Sequence, residues 1–277
     1  MSSQLDLHVH TTASDGQLSP TEVVRKALDI GLMAMAITDH DTTEGIEEAL
    51  EAAGGTGLDV IPAVEISTDI PGSEVHILGY YVAYKDPCLC SELAFFRESR
   101  LNRAQRMVAK LTKMGLPLDW ERVQQIAGDA AVGRPHVARA MLEKGYISSI
   151  DEAFNLYIGR NGPAYVERYK LSPVEAVQTI LAANGLPVLA HPLNVSHLVP
   201  ELAKDGLVGL EAYYTGYTPE ETSFLLGLAA KYGLLVTGGT DFHGEDVLPG
   251  SELGGVIVPQ AVMENLRACR ERRQART

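Results

Sequence analysis

Two histidines one residue apart, His8 and His10, stand near the start of the chain. Further ligand-type side chains follow at Thr38-Asp39-His40, Glu65, His76, His191 and Asp241-Phe242-His243. Most of the chain's eight histidines belong to this set. Imidazole and carboxylate suit zinc, manganese and iron, and one carboxylate can bridge two ions. If these residues converge, the chain is a multinuclear metallohydrolase. If they do not, little else in the sequence points to chemistry.

The elements that must position them can be read from the pattern. Leu5–Val9 is a short apolar strand, and period-two alternation puts His8 and His10 on the same side of it. Ser19-Pro20-Thr21-Glu22 predicts a capped helix start, and Gly31 its end. Strands are expected at 33–37, 59–64 and 75–82, with a second helix over 43–53. From about Ser91 to Arg168 the pattern is helix after helix, with Arg97, Arg100, Arg103 and Arg106 recurring every three residues. Shorter helices are expected at 120–127, 135–144 and 150–157. Alternation resumes with helices at 173–183 and 219–232, strands at 187–190, 208–212 and 234–237, and a last helix from Gln260. No Pro/Ser-rich linker flanks the helical stretch, so it reads as an insertion at 91–168 in a domain formed by 1–90 and 169–277.

Repeated βα units allow a closed barrel or an open doubly wound sheet. No GxGxxG follows the first strand, which disfavours a dinucleotide fold. His8, His10, His40, Glu65, His191 and Asp241 fall at or just past the C-terminal ends of predicted strands, where the catalytic groups of α/β barrels collect. His76 breaks this rule, because it opens its strand.

Composition narrows the function. The 277 residues are 45% hydrophobic and 6% aromatic, which suits strands buried under helices. The formal net charge of −13 disfavours duplex DNA as a partner, although bound cations would make a site locally positive. Cys88, Cys90 and Cys269 form no CxxC pair, and a reducing compartment follows. No apolar run is long enough to span a bilayer, and the first ten residues do not read as a signal peptide. The expectation is a cytoplasmic protein. The basic end, Arg267, Arg270, Arg272, Arg273 and Arg276, reads as a solvated helix terminus.

Each candidate has a plainer explanation. Asp15 before Gly16 is an ordinary turn residue by itself. Asp41 and Thr43 read as helix caps, whereas Asp39 is placed to orient a liganding histidine from behind. Glu65 closes an apolar strand and needs a partner once buried. His76 alone would be a satisfied core histidine. Arg134, His136 and Arg160 are candidates for gripping a phosphate, because a guanidinium matches phosphate bidentately; helix-start or surface placement explains them equally well. His197 and Glu211 are weaker candidates near strand ends. Singly these signals are weak, and their joint placement at strand ends is not.

The segments 6–16 (Asp-Leu-His-Val-His-Thr-Thr-Ala-Ser-Asp-Gly), 36–41 (Ala-Ile-Thr-Asp-His-Asp), 62–66 (Pro-Ala-Val-Glu-Ile), 74–80 (Glu-Val-His-Ile-Leu-Gly-Tyr), 190–192 (Ala-His-Pro) and 239–243 (Gly-Thr-Asp-Phe-His) resemble, in order, the motifs of the polymerase and histidinol phosphatase (PHP) superfamily. The insertion, with Gly133-Arg134-Pro135-His136 and Gly162-Pro163-Ala164-Tyr165-Val166, resembles a narrower group. Its members remove the 3′-phosphate of nucleoside 3′,5′-bisphosphates, and some trim short RNA from the 5′ end. The resemblance implies a distorted (β/α)7 TIM-like barrel with the insertion as a substrate-capping subdomain. It also implies three divalent metals, manganese, iron or zinc. His8, His10, Glu65 and Asp241 would hold the first; Glu65, His76 and His191 the second; Asp15, His40 and His243 the third. The chain departs from related members after Ala-His-Pro, where Leu193-Asn194-Val195 replaces an often basic residue.

The reaction so implied is hydrolysis of a small phosphorylated substrate, a nucleoside 3′,5′-bisphosphate giving a 5′-nucleotide and phosphate, with a metal-bridging hydroxide as nucleophile. Short RNA is a further possible substrate. Histidinol phosphate is the alternative, and a metal-stabilised scaffold is the non-enzymatic one.

Overall fold

The structure, a computed structural model, describes residues 4–71, 73–127, 132–167, 171–244 and 251–275, without the side chain of Arg100. The expected end of the insertion at Arg168, and Arg276 of the basic tail, lie outside the described residues. The chain groups into two compact units, Met1–Ser91 with Leu171–Thr277, and Glu92–Lys170.

In chain order the elements are β1 (Leu5–Val9), α1 (Pro20–Asp29), β2 (Ala34–Ile37), α2 (Gly45–Ala53), β3 (Asp59–Ile70), β4 (Ser73–Tyr80), α3 (Pro87–Lys113), α4 (Trp120–Ala127), α5 (Arg134–Glu143) and α6 (Ile150–Ala153). Then follow α7 (Pro173–Ala182), β5 (Leu186–Leu189), α8 (Val199–Lys204), β6 (Gly209–Tyr214), α9 (Pro219–Tyr232), β7 (Leu235–Gly239) and α10 (Gln260–Gln274). The capping box expected at Ser19 and Glu22 forms, with Pro20 in the first turn. Thr218 and Glu221 form another at α9.

The strands make one seven-stranded sheet in sequence order. A parallel bridge between Val9 and Phe242 links its two edges. The His10 N–H donates to the Phe242 carbonyl at 2.9 Å across this seam. The sheet is thus nearly closed into the expected distorted barrel, and the first and last thirds of the sequence meet at the seam.

Two details correct the sequence reading. Glu65 does not close β3, which runs on to Ile70. Parallel pairing with β2 ends at Pro62, and the rest of β3 pairs antiparallel with β4. β4 is antiparallel to β5 as well. The early residues of β4 therefore lie at the end of the barrel where the parallel strands finish. This removes the exception at His76: its strand runs the other way, so an early position on it reaches the same mouth.

Smaller corrections follow. The helix expected from residue 43 begins at Gly45 without a side-chain cap. Asp41 instead accepts from the Ser67 N–H at 3.0 Å, and the Thr43 hydroxyl donates to the Tyr84 carbonyl at 3.0 Å. The helix expected over 150–157 is the short α6 followed by a π-helical turn, Phe154–Ile158. A 3₁₀ turn, Pro192–Leu198, and α8 fill a stretch where no helix was expected. Pro192 and Pro200 stand at early helical positions of these two segments, a placement that a proline tolerates because its missing N–H is unneeded there.

The second unit has its own apolar core, with Met107, Leu111, Val123, Val137, Met141 and Ile158 buried together. The arginine stripe on α3 is not uniformly solvated: Arg103 is 7% exposed, whereas Arg106 is exposed.

Candidate metal centre

At the mouth of the barrel, side chains from separate strands meet around Glu65, which is 1% exposed. Its Oε2 lies 3.3 Å from His8 Nε2, 3.2 Å from His10 Nε2 and 3.1 Å from His40 Nδ1. Its Oε1 lies 3.0 Å from His76 Nδ1 and 3.4 Å from His191 Nε2. Asp241 Oδ1 approaches His8 Nε2 at 3.2 Å and His10 Nε2 at 3.1 Å. Asp15 Oδ1 lies 3.2 Å from His243 Nε2, and Asp15 Oδ2 is 3.9 Å from His40 Nε2.

These contacts resolve into overlapping groups whose ligand atoms lie within 4.8 Å of one another: His8, His10, Glu65 and Asp241; His10, Asp15, His40 and His243; and His40, Glu65 and His76. The first group has the membership expected for the first metal. The others share histidines in a way the sequence did not indicate. His10 joins the group of Asp15, and His40 joins that of Glu65 and His76. His191 lies outside these three groups, with Nε2 3.4 Å from Glu65 Oε1.

The donor chemistry fits cations. His8 Nε2, His10 Nε2, Asp15 Oδ1, Asp241 Oδ1 and both Glu65 oxygens are buried without a hydrogen-bond partner at good geometry. A buried polar atom left so costs about 1–3 kcal/mol. Many of them facing one another would be hard to sustain unless a cation satisfies them. Nitrogen and oxygen donors in this mixture suit zinc, manganese or iron.

Electrostatics follows the same geometry. Burial drives the His8 imidazole down, but Asp241, Glu211 and Glu65 outweigh it and hold its pKa well above the ordinary value. Burial also opposes the charge on His10, yet Asp241 and Glu65 raise it to about 10. His40 goes the other way: burial lowers it to about 3 despite Glu65 and Asp15. Burial pushes Glu65 and Asp241 up, but the surrounding histidines overcome it and keep both far below the usual carboxylate range.

Outer partners fix the orientation. Glu211, fully buried on β6, takes His8 Nδ1 at 3.0 Å on Oε1 and the His191 N–H at 2.8 Å on Oε2. The contact assigns the His8 proton to Nδ1 and turns Nε2 toward Glu65 and Asp241. Asp39 does not touch a liganding histidine. It accepts from the Thr11 N–H at 2.7 Å and from Ser14 Oγ at 2.6 Å, and Ser14 Oγ lies 3.5 Å from His10 Nδ1. Its influence on His10 passes through Ser14. The Tyr214 hydroxyl donates to Asp241 Oδ2 at 2.8 Å, leaving Oδ1 for the histidines. Asp6 ties the seam together, accepting from the Thr240 N–H and hydroxyl at 2.9 and 2.6 Å and from the Gly254 N–H at 2.9 Å.

Backbone strain gathers at the same mouth. Asp41, His191 and Asp241 have φ of +50°, +29° and +55°, a region that non-glycine residues seldom occupy and that persists where surrounding structure enforces it.

Sequence reading ranked Glu211 low and passed over Asp6, Ser14 and Tyr214. Glu211 had a usable signal, an acid between Leu210 and Ala212 inside an apolar strand, which is the pattern that singled out Glu65. Asp6, in Leu5-Asp6-Leu7-His8, had the same one. His197 is exposed on the 3₁₀ turn and joins none of the groups.

The phosphate candidates belong to the second unit. Arg134 is the first residue of α5, with its guanidinium 5.5 Å from the Phe154 ring centroid. His136 is buried, and its Nδ1 accepts from the Gly133 N–H at 2.9 Å. Arg160 is exposed after the π turn.

Comparison with known proteins agrees with this architecture. The model of the PHP domain matches residues 6–157. The chain is 37% identical over 258 residues to the 5′-3′ exoribonuclease Rnm of Escherichia coli, covering 90% of this chain and 87% of that protein. It is 31% identical over 247 residues to a 3′,5′-nucleoside bisphosphate phosphatase of Chromobacterium violaceum, covering 86% and 87%. A solved structure from Bifidobacterium adolescentis, named as a candidate metal-dependent phosphoesterase, superposes with a TM-score of 0.84 at 32% identity and covers 96% of each chain. From the ordered motifs, the barrel mouth and the extent of these matches, the chain belongs to the PHP domain family.

Proposed function

We propose that this chain, a metal-dependent phosphoesterase, removes the 3′-phosphate of nucleoside 3′,5′-bisphosphates to leave a 5′-nucleotide. The observation that carries the reaction class is Glu65, whose two buried oxygens face histidines on both sides without hydrogen-bonding to them. The substrate is carried over from the Chromobacterium relative, whose match covers 86% of this chain. The Escherichia relative, named a 5′-3′ exoribonuclease, extends the reading to RNA processed from its 5′ end.

His8, His10, Glu65 and Asp241 would hold one divalent ion, Glu65 with His76 and His191 a second, and Asp15, His40 and His243 a third. Cations held there supply Lewis acidity, which neutralises phosphoryl charge and lowers the pKa of water. The residues themselves do the positioning. Glu65 is the shared carboxylate. Glu211 keeps the proton of His8 on Nδ1, so that Nε2 stays a donor of electrons. Tyr214 holds one oxygen of Asp241 and leaves the other for binding. Arg134, His136 and Arg160, on the second unit, are proposed as phosphate-binding residues, a guanidinium matching phosphate bidentately.

Phosphate release from adenosine 3′,5′-bisphosphate and from histidinol phosphate, measured side by side with manganese present, tests the substrate. Faster release from histidinol phosphate would overturn it. Glu65→Ala is expected to lose bound metal and activity together, and an active variant with normal metal content would refute the bridging role.

A further inference from the structure

A cavity of about 920 Å³ opens in the barrel unit away from the histidine cluster, lined in part by Tyr81, Tyr84, Asn184, Arg270 and Arg273. Tyr81 directly follows the last residue of β4 and stands five residues beyond His76. At about 3.3 Å per residue the cavity is therefore roughly 16 Å down that strand from the cluster. Its volume is in the range of about 300–1,000 Å³ typical of sites for compact ligands.

The lining has the chemistry of an anion site with an aromatic wall. α10 carries Arg267, Arg270, Arg272 and Arg273 against two glutamates, in a chain whose net charge is −13. Arg267 is committed to Asp59 at 2.5 Å. Arg270 and Arg273, three residues apart, project from the same face of the helix and line the cavity. The Arg270 guanidinium lies over the Tyr81 ring, 4.5 Å from its centroid. Stacked in this way, a guanidinium is held flat while its N–H edge points outward, the arrangement that grips phosphate bidentately.

One further observation singles this cavity out. Tyr81, in its lining, has φ of +56°. A bulky aromatic residue in that region is a true outlier, and such strain collects at ligand sites.

We infer that this cavity is a second ligand site that takes a nucleoside monophosphate. The phosphate sits on Arg270 and Arg273, and the flat base lies against Tyr84, with the Asn184 amide able to donate and accept at its edge. Nothing in this assignment requires the reaction proposed above.

The test is calorimetric titration of 5′-AMP and of inorganic phosphate into the full chain carrying Glu65→Ala, which disables the metal cluster. One 5′-AMP per chain is expected to bind. Adding Arg270→Ala and Arg273→Ala should weaken it at least about tenfold, the scale of losing one charge-assisted hydrogen bond. Arg270→Lys with Arg273→Lys, which keeps charge without the fork, should recover part of that loss. Both arginines are exposed, so the chain is expected to stay folded, with a cooperative melt, while binding is lost. Binding that vanishes with Glu65→Ala alone, or persists undiminished without the arginines, would overturn the site. Inorganic phosphate binding as tightly as 5′-AMP would overturn the nucleotide.

Discussion

Replacing Glu211 by Gln changes almost nothing in shape and reverses one hydrogen-bonding group. In the native chain both carboxylate oxygens accept, Oε1 from His8 Nδ1–H at 3.0 Å and Oε2 from the His191 N–H at 2.8 Å. Glutamine offers one oxygen and one NH₂. If the NH₂ faces His8, the imidazole must move its proton to Nε2, the atom directed at Glu65 and Asp241. If it faces His191, a buried backbone N–H loses its acceptor, at about 1–3 kcal/mol. Loss of such an outer partner typically weakens metal affinity about 10–100-fold, or about 1.4–2.8 kcal/mol. The assay is chelator competition with zinc or manganese, paired with thermal unfolding in excess chelator. Glu201→Gln, on the exposed start of α8, is the control. A Glu211→Gln chain that binds metal and melts like the parent would show that this carboxylate neither sets the His8 tautomer nor supports His191.

Two other outcomes follow from the same geometry. Metal ligation needs neutral imidazole, and the carboxylates hold His8 well above its ordinary value and His10 at about 10; metal binding near neutral pH should therefore release protons, and affinity should climb as pH rises toward about 10. His40, already neutral at about 3, should release none, and equal calorimetric enthalpies in buffers of different ionisation enthalpy would contradict this linkage. Gly239→Ala would place a Cβ 2.4 Å from His8 N and 2.9 Å from Asp6 Oδ1, an overpacking that costs about 1–3 kcal/mol, so a lower melting temperature with reduced metal content is expected, and a variant equal to the parent in both would show that the seam can yield.

The sequence by itself determined the identity of the ligand-type residues, because imidazole and carboxylate interrupt apolar strands at positions where a core would take neither. It also determined the βα alternation and the capped start of α1, which are local properties of a few adjacent residues. What it left open was direction and partnership. Whether β4 runs with or against its neighbours is set by pairing across the sheet, and that pairing explains how His76 reaches the mouth shared by His8 and His191. The sharing of His10 and His40 between groups, the hold of Glu211 on His8, and the detour from Asp39 through Ser14 to His10 all depend on distances between residues remote in the chain. Such distances exist only once Val9 and Phe242 have met and the sheet has curved round, since strand periodicity tells a side chain which face to take but not what waits there.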